Sequence, residues 1–166
     1  MSFSLRPDMV FPEYTAVSAD FLRANGITLL MSDLDYTLAP RFRRLPDEKV
    51  RAWLTELESK GITVMVISNN RNGERAREFC APLGIDFVRF AGKPSTKGLY
   101  EALRRTGKSR QESAMLGDKL LTDVLAAKRF GIPMLMVEPL EGPVGAWNHV
   151  LHFLQRPFKA AAKGHI

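Results

Sequence analysis

The sequence alternates short apolar segments with longer segments of helical periodicity, and this alternation constrains the fold more than any other feature. Each apolar segment is four to seven residues long and rich in β-branched or long aliphatic side chains, which is typical of strands. The apolar residues follow one another without polar alternation, as expected for strands covered on both faces. The predicted strands are Ile27–Ser32, Ile62–Ser68, Phe87–Phe90, Ser113–Gly117 and Ile132–Val137.

Four helical segments lie between these strands and carry ordinary end signals. Pro46 begins the first and Gly61 follows it, because proline is favoured in the first helical turn and glycine just past the last. Glycines also end the other three: Gly84, Gly107 and Gly131. We therefore predict an α/β fold of three layers, in which a doubly wound, parallel, five-stranded sheet lies between two layers of helices. We expect residues 1–166 to form one domain, with a lead at 1–26 and a tail at about 143–166.

Composition and charge narrow the functional classes. The chain is 45% hydrophobic and 25% charged, which is ordinary for a globular domain and excludes disorder, collagen and coiled coil. No apolar run approaches the about 18 residues that span a membrane, and the first residues do not resemble a secretory signal, so we expect a cytoplasmic protein. The single cysteine, Cys80, cannot form an intrachain disulfide. The net charge of +6 arises in residues 84–166, which indicates either an anionic partner or only a solvated surface.

Groups suited to phosphate or Mg²⁺ follow four of the five predicted strands. In open α/β sheets, ligands bind outside the carboxyl ends of the strands. The residues concerned are, in chain order, Asp33, Asp35, Thr37, Ser68, Asn69, Lys93, Asp118 and Asp123. Each of them alone could be a cap, a turn residue or a solvated side chain. Together, at successive strand ends, they predict a site that binds a phosphate group.

In this order the residues resemble the four motifs of the haloacid dehalogenase (HAD) superfamily of phosphatases. The motifs correspond to Asp33-Leu34-Asp35-Tyr36-Thr37, Ser68, Lys93 and Gly117-Asp118-Lys119-Leu120-Leu121-Thr122-Asp123. The Ser68-Asn69-Asn70 and Lys93-Pro94 segments look like the YqeG-type group of subfamily IIIA, which is similar to the phosphatidylglycerophosphate phosphatases. The resemblance implies a Rossmann-like, HAD-like fold. Tyr36 departs from it, because the superfamily commonly has glycine there and this group asparagine.

The resemblance also implies catalytic and metal-binding roles. Asp33 would attack phosphorus and form an aspartyl-phosphate, which splits one difficult displacement into two easier ones. Asp35 would protonate the leaving alkoxide and then deprotonate the attacking water. Mg²⁺ would be held by Asp33, the backbone carbonyl of Asp35, and Asp118, with Asp123 in support.

Substrate binding would fall to the remaining polar residues. Thr37, Ser68, Asn69 and Lys93 would contact the substrate. Ser68 and Lys93 would also act in catalysis, because they would hold the phosphoryl oxygens and take up charge in the transition state.

The spacing of the motifs leaves no room for a domain that covers the site. Asp35 and Ser68 are 33 positions apart, Ser68 and Lys93 are 25 apart, and predicted elements already occupy both intervals. A separate capping domain needs about 50 residues. We therefore predict a capless enzyme with an open site, which favours a phosphate presented on a surface, such as that of a lipid.

Two basic and aromatic segments could bring this site to an anionic membrane as a peripheral contact. Arg41-Phe42-Arg43-Arg44 follows the first predicted strand. The tail has helical spacing of apolar residues from Trp147 to Phe158 and basic residues from Arg156 to Lys163, and Pro157 interrupts it. The alternative for the tail is a helix packed on the sheet of its own domain.

The sequence thus predicts a Mg²⁺-dependent phosphomonoester hydrolase whose substrate is phosphatidylglycerophosphate or a related anionic phospholipid. One alternative is a phosphatase for a soluble sugar or nucleotide phosphate. Another is a non-catalytic, receiver-like regulatory domain, which would carry an aspartate after its third strand, where this chain has Ala91-Gly92-Lys93. No nucleic-acid partner is expected, and no oligomeric state is predicted.

Overall fold

One parallel sheet of seven strands runs through the computed structural model, which describes residues 4–141, 146–162 and 164–165, without the side chains of Trp147, Asn148 and His165. The strands are β1 (Met9–Phe11), β2 (Leu29–Ser32), β3 (Thr63–Ile67), β4 (Asp86–Val88), β5 (Ser113–Gly117), β6 (Met134–Val137) and β7 (Gly164–His165). Their order across the sheet is β4-β3-β2-β5-β6-β1-β7, and every neighbouring pair is parallel. The predicted α/β class is confirmed.

Helices cover the sheet, and their ends follow the predicted signals. The α-helices of the described chain are α1 (Ala19–Ala24), α2 (Glu48–Ser59), α3 (Glu74–Cys80), α4 (Lys97–Thr106), α5 (Leu125–Phe130) and α6 (Ala146–Ala160), with a π-helical turn at Leu120–Val124 directly before α5. The Asp47 side chain accepts a hydrogen bond of 3.0 Å from the backbone of Val50 and caps α2. Gly107 and Gly131 have φ of 67° and 80°, the left-handed conformation that ends a helix. None of the described helices is long and apolar enough to cross a bilayer.

Apolar side chains fill the space on both faces of the sheet. On one face, Leu30 and Val66 pack with Trp53 of α2 in a buried cluster. On the other, Met31 and Met65 belong to a second buried cluster with residues of α4 and α5. Because successive residues of a strand point to opposite faces, burial on both faces explains the unbroken apolar runs of the sequence.

The sheet has two strands more than the five predicted. β1 comes from the predicted lead and β7 from the predicted tail, and they lie together at one edge, where Met9 pairs with both Leu135 and Gly164. With three and two residues, both are shorter than the runs that marked the predicted strands. Each is placed by the strand that it pairs with, β6 for β1 and β1 for β7, rather than by a pattern of its own.

The predicted amphipathic tail forms α6, whose packed face is partly polar. The Gln155 side chain accepts a hydrogen bond of 3.0 Å from the backbone of Leu120, and Lys159 donates one of 2.7 Å to Glu138. Phe153 and Leu154 are 65% and 55% exposed. Pro157 does not interrupt the helix as predicted, but lies inside it. Two of the residues predicted for the tail surface, the Trp147 side chain and Lys163, lie outside the described residues.

Phe11 tests whether β1 belongs to the core. Its side chain is 1% exposed, and its ring lies edge-on to that of Phe21, with centroids 5.2 Å apart. We expect Phe11→Ala to lower the free energy of unfolding by about 3–5 kcal/mol in urea denaturation, because it leaves a cavity. Phe42→Ala is the control, since Phe42 is 73% exposed and its loss should cost less than about 0.5 kcal/mol. Equal effects of the two substitutions would contradict the place of β1 in the core.

Candidate active site

The predicted site residues meet at the carboxyl ends of the central strands. Asp33 directly follows β2, Ser68 follows β3 and Asp118 follows β5, and β2 lies between the other two strands. The backbone N–H of Asp33 donates to Leu116 and that of Ser68 to Val88, both at 2.9 Å. The pairing of the strands therefore continues into the site and fixes the backbone of these residues.

Lys93 connects two of the carboxylates. Its ammonium donates hydrogen bonds of 2.8 Å to Oδ1 of Asp33 and 2.7 Å to Oδ1 of Asp123, and the side chain is 2% exposed. Burial alone would lower the pKa of Lys93, but the attraction of Asp123 and Asp33 outweighs it and raises the pKa. Lys93 is therefore a fixed positive charge that holds Asp33 in place.

Three buried carboxylates form a group that fits a divalent metal. Asp33, Asp118 and Asp123 each offer one oxygen within 4.8 Å of the others. Burial raises the pKa of the Asp118 carboxyl. The positive charge of Lys119 lowers this pKa and the negative charge of Asp33 raises it, so that burial remains the dominant cause. Burial also raises the pKa of Asp123, despite its contact with Lys93. Burial thus disfavours the charged form of these carboxylates, a cost that a bound divalent metal would offset, and their donors are the hard oxygens that Mg²⁺ and similar ions prefer.

The Asp35 side chain lies apart from these three carboxylates, in contact with a residue that the sequence did not indicate. Arg75 of α3 donates from Nε to Oδ1 of Asp35 at 3.0 Å, and its other two nitrogens donate to the backbone carbonyls of Pro40 and Arg43. Arg75 therefore holds both Asp35 and the loop that follows it. The position of Arg75 in the first turn of α3 could have indicated this contact, because a cation near the N-terminus of a helix is unfavourable unless an anion pairs with it.

Two residues predicted to bind substrate have protein partners here. The Thr37 hydroxyl is buried and donates to Oδ1 of Asp118 at 3.1 Å. The Asn69 amide donates to the backbone carbonyl of Lys93 and accepts from its N–H, both at 2.8 Å. Their observed contacts thus position Asp118 and Lys93. Ser68 accepts a bond of 3.1 Å from the backbone of Asn70, so its hydroxyl proton can be donated elsewhere.

Gly117 allows Asp123 to approach the end of β5. A β-carbon at Gly117 would lie 2.5 Å from Cγ of Asp123, closer than such atoms can come. Asp123 itself lies in the π-helical turn and accepts a hydrogen bond of 3.2 Å from the backbone of Lys119. The Gly-Asp pair noted in the sequence therefore has a steric cause.

An open cavity of about 380 Å³ lies over these groups. Its lining consists of Asp33, Asp35, Arg41, Ser68, Asn69, Asn70, Arg71 and Lys119. Lys119, for which we predicted no role, places its ammonium 5.6 Å from the centre of the Tyr36 ring. Tyr36 has φ of 65°, which explains why glycine or asparagine is usual at this position. A larger cavity, of about 610 Å³, lies at the other end of β3 and is lined by none of the predicted site residues.

Comparison with known proteins agrees with this geometry. The family model of the haloacid dehalogenase-like hydrolases matches residues 5–131. The chain belongs to that family. This HAD hydrolase is 31% identical to the probable phosphatase YqeG of Bacillus subtilis over 162 residues, which cover 96% of this chain and 94% of that protein. It is 29% identical over 142 residues to the chloroplastic phosphatidylglycerophosphate phosphatase 1 of Chlamydomonas reinhardtii, covering 81% of this chain and 53% of that one.

Solved structures share the fold of the HAD hydrolase. An uncharacterized protein of Listeria monocytogenes has a TM-score of 0.58 at 17% identity, covering 72% of this chain and 83% of that one. The cobalt-bound deoxy-D-mannose-octulosonate 8-phosphate phosphatase of Haemophilus influenzae has a TM-score of 0.55 at 16% identity, covering 86% and 78%. The resemblance stated from the motifs is confirmed, and the chain is a phosphatase, a phosphoric monoester hydrolase.

The raised pKa of Asp118 predicts how the stability of the metal-free HAD phosphatase depends on pH. An aspartate in the unfolded chain has a pKa near 3.8, and burial raises that of Asp118 to about 8. As pH rises, the Asp118 carboxyl loses its proton in the unfolded chain at a lower pH than in the folded chain. The contribution of the protonated Asp118 to the free energy of unfolding is therefore complete below about pH 4 and lost by about pH 8. We expect the free energy of unfolding in EDTA to fall between about pH 5 and about pH 8, and a divalent metal to restore it most at the higher pH.

Asp118→Asn is the control for this experiment. The amide keeps the shape of the side chain and removes its titration, so most of the decline with pH and most of the stabilisation by metal should disappear. A variant that follows the wild-type curve would show that Asp118 is not the group responsible.

Proposed function

We propose that this HAD phosphatase is a Mg²⁺-dependent hydrolase that acts through an aspartyl-phosphate on phosphatidylglycerophosphate or a related anionic phospholipid. The observation that carries the proposal is the group of buried carboxylates, Asp33, Asp118 and Asp123, with Lys93 among them and an open cavity above Asp33. All the donors are oxygens, which favours Mg²⁺ over softer metals. The name of the Chlamydomonas relative supports the lipid substrate.

The first chemical step would use Asp33 as the nucleophile. One of its oxygens accepts the hydrogen bond of Lys93, which leaves the other for attack on phosphorus from the cavity. The new bond joins this oxygen to phosphorus while the bond to the leaving alkoxide breaks, and Asp35 would act as the general acid that gives a proton to that alkoxide. Ser68 would donate its free proton to a phosphoryl oxygen. Bound Mg²⁺ would neutralise the negative charge shared by the phosphate and the carboxylates.

The second step would return the enzyme to its starting state. The Asp35 carboxylate would take a proton from water as the water oxygen attacks phosphorus, and the bond between phosphorus and Asp33 would break to release inorganic phosphate. Arg75 would keep Asp35 close to the cavity between these steps through the contact of 3.0 Å. We propose that the whole chain, residues 1–166, acts as one domain in this reaction.

Two substitutions separate the roles of the aspartates. Asp33→Asn should abolish turnover while the fold is retained, because the amide cannot attack phosphorus. Asp35→Asn should lower kcat/KM for an alkyl phosphate by about 10²–10⁴ and far less for nitrophenyl phosphate, because kcat/KM reports formation of the phosphoenzyme and the nitrophenyl leaving group needs no proton. Steady-state kinetics with both substrates and both variants gives the measurement. Turnover of Asp33→Asn within about tenfold of wild type would exclude it as the nucleophile, and equal losses of Asp35→Asn on the two substrates would make Asp35 structural.

Peripheral contact with a membrane is proposed through α6. Gln155 attaches this helix to Leu120, two positions beyond Asp118, so α6 lies beside the site. Its exposed side chains include Val150, Phe153, Leu154 and Phe158. An exposed apolar helix face can enter the interface of a bilayer. We place the enzyme at the cytoplasmic face of the membrane.

The basic clusters predicted from the sequence support membrane contact less than the apolar face does. Arg43 pairs with Asp47, and Arg44 pairs with Glu78 through hydrogen bonds of 2.5 and 2.8 Å. In the tail, Lys159 is buried against Glu138. Of the three arginines in the segment 41–44, Arg41 alone has no carboxylate partner among the residues that the structure describes.

Replacing apolar residues of α6 tests the lipid substrate. We expect Phe153→Gln with Leu154→Gln to lower hydrolysis of phosphatidylglycerophosphate in anionic vesicles by about tenfold or more, because about 1.5–3 kcal/mol is gained by burying each such side chain. Hydrolysis of nitrophenyl phosphate should stay unchanged. Leu45→Gln is the matched control, since Leu45 is equally an exposed leucine, at 61%, and lies outside α6. Faster hydrolysis of soluble sugar or nucleotide phosphates than of the lipid would contradict the proposed substrate.

A further inference from the structure

We propose that Arg41 and Arg71 form a subsite for a second anionic group of the substrate, a phosphodiester, separate from the phosphate that Asp33 attacks. Both arginines line the open cavity together with Asp33. The inference rests on the proposed function, because it takes this cavity to be the substrate site. It adds the requirement that the substrate carry two phosphorus groups, one a monoester and the other a diester.

The charges of the cavity indicate an anionic ligand at its rim. Asp33 is paired with Lys93, which also contacts Asp123. Asp35 is paired with Arg75, so both acidic residues of the lining have a cationic partner. Neither Arg41 nor Arg71 has a carboxylate within ion-pair distance in residues 4–141, 146–162 and 164–165. Two uncompensated guanidinium groups at a cavity mouth attract anions and raise their local concentration.

The subsite lies at a different depth from the reacting phosphate. Lys93, which contacts the nucleophile, is 2% exposed on its side chain and lies at the base of the site. Arg41 and Arg71 are exposed and come from the loops after β2 and β3, the strands that also carry Asp33 and Ser68. A single phosphate held at Asp33 therefore leaves the outer arginines to a group farther out.

The volume of the cavity permits two such groups. It is about 380 Å³. A phosphate has five heavy atoms, each comparable to a water molecule, whose share of liquid volume is about 30 Å³, so a second phosphate fits beside the first. The planar guanidinium of arginine can donate two parallel hydrogen bonds to the two free oxygens of a phosphodiester. This geometry supports a phosphodiester over an uncharged sugar as the ligand.

A neighbouring phospholipid in a membrane could offer the same chemistry. We assign the subsite to the diester of the substrate itself, because the arginines share one cavity with the nucleophile. The two sources are distinguished with substrates that lack acyl chains, since these present no neighbouring lipid.

The test compares two water-soluble substrates of the holoenzyme with Mg²⁺. One is glycerol 3-phosphate, and the other is deacylated phosphatidylglycerophosphate, which bears the same terminal phosphate and adds the diester. We expect wild-type kcat/KM to be at least about tenfold higher for the second substrate, since a hydrogen bond to a charged group contributes that much or more. Arg41→Gln with Arg71→Gln should reduce this preference by about tenfold or more.

Arg23→Gln is the matched control, because Arg23 is an exposed arginine of α1 whose partner is the backbone of Lys60, away from the cavity. It should keep the wild-type preference, and thermal unfolding should show that all variants are folded. No preference in wild type, or a preference that survives in the double variant, would overturn the subsite. A double variant impaired only on lipid vesicles would assign the arginines to neighbouring lipids and also overturn it. If the wild-type enzyme prefers the diester-containing substrate but does not hydrolyse the lipid in vesicles, the subsite is supported and the proposed lipid substrate is rejected.

Discussion

The arrangement of the site depends on the ion pairs that the Lys93 ammonium makes with both Asp33 and Asp123. Three carboxylates lie within 4.8 Å of one another and are buried, and an unpaired buried charge costs several kcal/mol. Lys93 binds two of them, and the paired amide of Asn69 holds the backbone of Lys93 in turn. The loop after β4 is thereby tied to the end of β3. A divalent cation would offset the cost of burying all three carboxylates, so the same geometry that stabilises the fold prepares a metal site.

Much of this arrangement can be predicted from the sequence, because parallel strands bring their carboxyl ends to one edge. The five strands β2 to β6 and the meeting of Asp33, Ser68, Lys93 and Asp118 follow from apolar runs and from the residues after them. The partners within the site do not follow, since they depend on side-chain packing. Arg75 and Thr37 show this, because their hydrogen bonds join residues 40 and 81 positions apart. No local pattern encodes such contacts.

Helix α6 shows another limit of periodicity. The spacing of apolar residues predicts an amphipathic helix correctly, but it does not determine which face is turned inward. In the structure, Gln155 and Lys159 are buried against Leu120 and Glu138, while Phe153 and Leu154 are exposed. Specific polar partners on the domain thus help to determine which of the described side chains of α6 are buried, and apolar spacing alone does not predict them.

The pairing of β1 has a consequence for the order in which the polypeptide acquires its structure on the ribosome. Met9 pairs with Leu135 and Gly164, whereas β2, β3 and β4 are neighbours made of residues 29–88. Contacts between distant segments form late, because a long loop must close first. The apolar residues of β1 emerge before those of β2 to β6 and must wait for β6 to be translated. Throughout that interval they are an unpaired strand of the nascent chain, the kind of segment that chaperones protect.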